Sequence, residues 1–145
     1  MKNTKLNNKG FSLVELIIVI AIMAILAAAL APQLIKYIEK SRVSSDQTSC
    51  ASVKTAFDTA SAQDEIYTDI LANCGAGETI TVTESGGTVT VSSGSQALSD
   101  EMSVILGDLK APKSKGATQY ELTYAISDAG EITGITVDTN TGIMN

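Results

Sequence analysis

The sequence predicts an α+β protein in which a long N-terminal helix, apolar in its first half, packs on a small antiparallel sheet. Three observations predict this class: an apolar run from Phe11 to Ala31, a helical spacing of apolar residues without Gly or Pro from Gln33 to Leu71, and a switch to two-residue alternation after Asn73-Cys74-Gly75. At 145 residues, part of them in the apolar run, the chain has room for one small core.

The run FSLVELIIVIAIMAILAAALA is long enough, at about 1.5 Å per residue, to cross roughly 30 Å of hydrocarbon. Lys2, Lys5 and Lys9 precede it, and the positive-inside rule places that end in the cytoplasm and the remainder outside. Beyond Pro32 the helix is expected to continue, with Cys50, Val53, Phe57, Ala60, Tyr67 and Leu71 on one face and Asp64 filling one slot. Within it SRVSSDQTS, from Ser41 to Ser49, weakens helix propensity and reads as either exposed or in contact with another subunit.

Ile80 and Val82, the Ser85-Gly86-Gly87 turn, then Val89 and Val91 read as a β-hairpin. Leu98, Met102, Ile105 and Leu109 return to helical spacing, with Ser95 or Ser99 as the cap. After a basic loop from Lys110 to Gly116, the alternation of Tyr120, Leu122, Tyr124 and Ile126 predicts a third strand. The turn Asp128-Ala129-Gly130 leads to a fourth over Thr133–Val137, with Ile135 and Val137 on one face. The connections are short enough for an antiparallel sheet.

Composition removes several function classes. Histidine is absent, which excludes a Ser-His-Asp triad, a Cys-His pair and an HExxH zinc site. Net charge is −6, and −9 without residues 1–10, so no nucleic-acid partner is expected. Aromatics make up 4% with no tryptophan, which supplies few stacking platforms. The adjacent carboxylates Asp64/Glu65 and Asp100/Glu101 point to different helix faces and read as solvated charge. No enzyme activity, cofactor or metal is therefore expected.

The block Lys9-Gly10-Phe11-Ser12-Leu13-Val14-Glu15-Leu16 carries the function. An ordinary signal peptide places its cleavage site after the apolar core, whereas here Lys9-Gly10 precedes it. This order resembles the leader of type IV pilins and their pseudopilin relatives: a short basic leader ending in Gly, then Phe, then Glu five residues in. The resemblance implies cleavage between Gly10 and Phe11 by a prepilin peptidase and N-methylation of Phe11. It implies a leader over 1–10, a transmembrane and filament-core helix over 11–31, and an extracytoplasmic head over 32–145. Pro32 stands where many members of the family also carry a proline. The implied partners are further copies of the chain in a helical filament, the peptidase, the pilus assembly platform with its ATPase, and the membrane. Such a subunit would sit in the cytoplasmic membrane before assembly and in an extracellular pilus after it.

Glu15 can be argued from physics: a carboxylate inside hydrocarbon costs about 2.5 to 3.5 kcal/mol on insertion scales unless it finds a partner. Cleavage before Phe11 would create an ammonium that Glu15 of a neighbouring subunit could meet, making Glu15 and Pro32 the assembly residues. The alternative is that Glu15 sits unpaired at the headgroup level. Ala24/Ala28 and Ala27/Ala31, at four-residue spacing, permit close helix packing but also fit ordinary membrane-helix composition.

Cys50 and Cys74 lie beyond the apolar run, where thiols tend to oxidise, and form a candidate disulfide, with two separate buried thiols as the alternative. This placement departs from the family's commonest disulfide, which clips a C-terminal loop. Asp138-Thr139-Asn140-Thr141-Gly142 resembles the start of a calcium loop but lacks the bidentate Glu, and reads as a polar turn, although major pseudopilins can bind calcium near their C-terminal end. Lys110, Lys113 and Lys115 read as a solvated loop. The favoured function is a type IV pilus subunit serving adhesion, motility or DNA uptake. The alternatives are a pseudopilin of a type II secretion or competence system, and a single-pass anchored or secreted binding domain cut after Ala31, which Pro32 disfavours.

Overall fold

The computed structural model describes residues 10–75 and 77–142. Its elements are α1 (Leu13–Ser61), α2 (Asp64–Asn73), β1 (Thr79–Ser85), β2 (Thr88–Ser92), α3 (Gln96–Ile105), β3 (Tyr120–Ile126) and β4 (Ile132–Thr139). The chain divides into two compact units, Met1–Ile38 and Glu39–Asn145.

In the first unit the described residues from Leu13 on are the apolar part of α1, a helix long and apolar enough to cross a membrane, with none of its most apolar window buried. Its large side chains are exposed from Phe11 through Ile38, beyond the end of the apolar run read from sequence. Pro32 lies inside the helix, which continues past it. A proline has no N–H, so the carbonyl four residues earlier, that of Ala28, loses its helical donor.

The second unit builds its core on the later part of α1, where Asp46, Cys50, Val53, Ala56, Phe57 and Ala60 are buried. The polar stretch from Ser41 to Ser49 is helical. Along the exposed side, hydroxyls bond the carbonyl four residues back: Thr48 to Ser44, Ser49 to Ser45, Ser52 to Thr48, Thr55 to Ala51 and Thr59 to Thr55, at 2.7–3.3 Å.

The expected unbroken helix to Leu71 is corrected. α1 stops at Ser61, Gln63 is extended (φ −83°, ψ 124°), and α2 starts afresh at Asp64. The interruption rotates the apolar stripe by about one residue, so Ile66 and Ile70 are buried in place of Tyr67 and Leu71. Tyr67 instead donates its hydroxyl to the Gly130 carbonyl.

The sheet order is β2-β1-β3-β4, with every pair antiparallel. The β1–β2 hairpin pairs Ser85 with Thr88 across Gly86 and Gly87, whose φ of +61° and +87° suits a type I′ turn. Between β2 and β3 the chain passes through α3 and the lysine loop, as the spacing of Leu98, Met102 and Leu109 predicts, and β3 pairs with β1 rather than with β2. Ser95 caps α3 by accepting from Leu98 N at 3.1 Å. Leu106 takes the buried place expected for Ile105, which is exposed.

In β4, Thr136 pairs with Thr123 but Thr133 with Ala125, so β4 carries one extra residue at Gly134, whose φ is +61°. This bulge lets both Ile132 and Ile135 pack against the core. Ile80, Val82, Tyr120, Leu122 and Tyr124 are buried with Val53 and Phe57, and the rings of Phe57 and Tyr124 lie 5.2 Å apart, tilted by 33°. That contact joins α1 to the sheet.

Candidate functional site

Gly10 and Phe11 are exposed and precede the helix, with the Phe11 side chain 88% exposed. Ser12 and Glu15 form a reciprocal cap. Glu15 Oε2 accepts from Ser12 N at 2.8 Å, and Ser12 Oγ accepts from Val14 N at 3.3 Å. The first backbone bond of the helix follows, from Leu16 N to Ser12 O at 3.2 Å. The sequence signal is Ser-x-x-Glu, a capping box that sequence reading passed over while weighing Glu15 only as an intramembrane charge. Glu15 thus has a partner within its own chain. Lys2, Lys5 and Lys9 lie outside the described residues.

Cys50 and Cys74 are both buried and free. Burial, followed by the nearby carboxyl groups of Asp138 and Asp46, pushes the Cys50 thiol up to about 11. Burial also raises Cys74, which closes α2 by donating its N–H to Ile70 O. Tyr124 is raised, chiefly by burial and then by its proximity to Cys74. Burial in the core favours the neutral form of both thiols.

The residue that sequence reading missed is Asp46. It is 1% exposed, and its carboxyl group accepts from Lys113 N at 2.8 and 3.0 Å and from Ser114 N at 2.8 Å. Glu39 accepts from Lys115 N at 2.8 Å, and Glu84 accepts from Ala111 N at 3.3 Å and Gly87 N at 2.7 Å. Three acidic side chains therefore hold the lysine loop by its backbone. An isolated polar residue in a polar stretch gave no hint of this, because the partners lie far along the chain.

Asp138 and Thr139 end β4, paired with Glu121 and Tyr120, and the polar turn begins at Asn140. Gly142 N donates to Thr139 O at 2.9 Å, and Asn140 Oδ1 accepts from Thr118 N at 2.9 Å. Among the described residues no group of three or more His, Cys, Asp or Glu side chains is placed to hold a metal ion.

The family described as the prokaryotic N-terminal methylation motif matches residues 5–31. Type IV major fimbrial proteins FimA of Dichelobacter nodosus are 47% identical to this chain over 51 residues, which is 35% of the chain and 33% or 32% of the relative. The match thus spans about a third of the length of these curated relatives. No solved structure matches. The matched residues include the Gly10-Phe11 pair, the cap and most of the exposed apolar helix. At this end the chain matches the prokaryotic N-terminal methylation motif, and over 51 of its residues it is similar to type IV major fimbrial proteins.

Proposed function

We propose that the chain is a precursor subunit of a type IV pilus filament. Prepilin peptidase removes residues 1–10, Phe11 becomes the N-methylated first residue, and the apolar helix over 11–31 passes from the bilayer into a filament core. Residues 32–145 then form the extracytoplasmic head. The observation that carries this reading is an apolar helical surface exposed from Phe11 to Ile38, joined to a second unit that closes its own core. An exposed apolar surface of this extent requires either lipid or other copies of itself.

Repeated packing that does not close on itself gives a helical fibre. Glu15 is the register residue: after cleavage it can leave its own cap to meet the new ammonium on Phe11 of a neighbour. The assembly platform, its ATPase and the bilayer are the remaining partners of this reading, and adhesion, motility or DNA uptake its outputs. A pseudopilin of a secretion or competence system would share the same processing and core.

Intact mass and N-terminal sequencing of the protein from sheared surface filaments test the proposal. N-methylated Phe11 as the first residue is the expected result. A start at Met1 or Pro32 would overturn it. Correctly processed protein that is absent from sheared filaments but present in the envelope would select the pseudopilin reading.

A further inference from the structure

In the second unit, lysines gather near the Glu39 end of α1 and carboxylates near its Ser61 end, with Lys54 between them. From Glu39 to Ser61 the helix rises about 33 Å. At its Glu39 end stand Lys40, Lys113 and Lys115, because Lys115 N bonds Glu39 and Lys113 N bonds Asp46. At its Ser61 end stand Asp58, Asp64 and Glu65, joined by Glu101 through its bond from Gln63 and by Glu131 beside the Gly130 carbonyl that accepts from Tyr67. All eight side chains belong to residues that are exposed or partly so.

The acidic groups nearest the lysines are spent on backbone N–H donors rather than on ammonium groups. Glu39 accepts from Lys115 N and Asp46 from Lys113 N and Ser114 N, while the Lys113 ammonium reaches only Ser45 Oγ at 3.4 Å. Among the described residues the one ion pair is Arg42–Glu39, at 3.5 Å. The loop is thus fixed in place with its ammonium groups in no ion pair, and among the described residues the carboxyl groups at the far end of the same unit are in none either. Each end is complementary to the other, yet the length of α1 keeps them apart within one subunit.

We propose that the basic end formed by Lys40, Lys113 and Lys115 docks on the acidic end, around Glu65 and Glu131, of a second copy of this chain. The contact is head to tail, so it repeats without closing. It sets which heads are neighbours along a filament, as opposed charges across an interface fix register and reject misalignment. This inference rests on the filament reading above.

The test uses the full chain in cells that assemble it. Lys113→Glu with Lys115→Glu, and separately Glu65→Lys with Glu131→Lys, are each expected to lower sheared-filament yield at least about tenfold through like-charge contact, with membrane levels of subunit unchanged. Combining all four substitutions is expected to restore the yield. Normal yield in either double variant overturns the proposal. So does loss in the lysine variant alone without restoration in the combination, which would assign the lysines to anionic headgroups. If the unsubstituted chain itself is absent from sheared filaments, it is the filament reading that fails. A folding defect would appear as lost subunit in the membrane, and the restored combination separates it from lost docking.

Discussion

Asp46 joins two parts of the chain more than sixty residues apart through hydrogen bonds to Lys113 N and Ser114 N. Its replacement by alanine leaves those two amides without an acceptor. Asp46→Ala is therefore expected to destabilise the second unit by about 2 to 4 kcal/mol, read as a lower urea midpoint of the full chain in detergent. Ser45→Ala, which removes only the long contact to the Lys113 ammonium, should change the midpoint little. Glu15→Ala is expected to abolish filament assembly while leaving membrane insertion intact. Normal filament numbers in that variant would remove Glu15 from the assembly interface. The local role of Glu15 was written in Ser-x-x-Glu, but that of Asp46 depends on a loop whose path the flanking residues do not encode.

At the scale of elements, Gly94 joins β2 to α3 under close approach rather than unusual backbone. A Cβ there would meet Asn73 O at 2.9 Å and both Glu78 carboxyl oxygens at 3.0 Å. Glu78 can move aside, although it accepts from Gly94 N, but the Asn73 carbonyl is backbone. Gly94→Ala is expected to cost about 1 to 3 kcal/mol in the same denaturation experiment. The elements themselves were largely legible, because alternation marks β1, β2 and β3 and Gly86-Gly87 dictates the first turn. Two features were not. The break at Ala62 and Gln63 has no Gly or Pro to announce it, and its effect is visible only in the shift of burial to Ile66 and Ile70. The place of β3 beside β1 is decided by long-range packing, which local spacing cannot report.

For the whole molecule, the two thiols report on folding of the second unit. With Cys50 near 9.0 when unfolded and about 11 when folded, folding favours the neutral thiol. Its contribution is complete below pH 9 and is lost as pH rises from 9 toward 11, so stability should fall across that window more in the parent than in Cys50→Ser. Alkylation at pH 8 should modify neither cysteine in the folded chain and both in denaturant without reductant. No reaction in denaturant would instead mean that Cys50 and Cys74 are joined. The apolar run from Phe11 to Ala31 was plain from the sequence. Its continuation as exposed surface to Ile38, past Lys36, required the structure.

The hydroxyls that fold back along α1 change what its polar face can do. Thr48, Ser49, Ser52, Thr55 and Thr59 each already have an acceptor on their own helix. Stripping water from such a face strands few donors, so its dehydration penalty is smaller than its serine and threonine content implies. A helix of this kind can lie against a dry neighbour and still stay soluble when alone, wetted without depending on being wet.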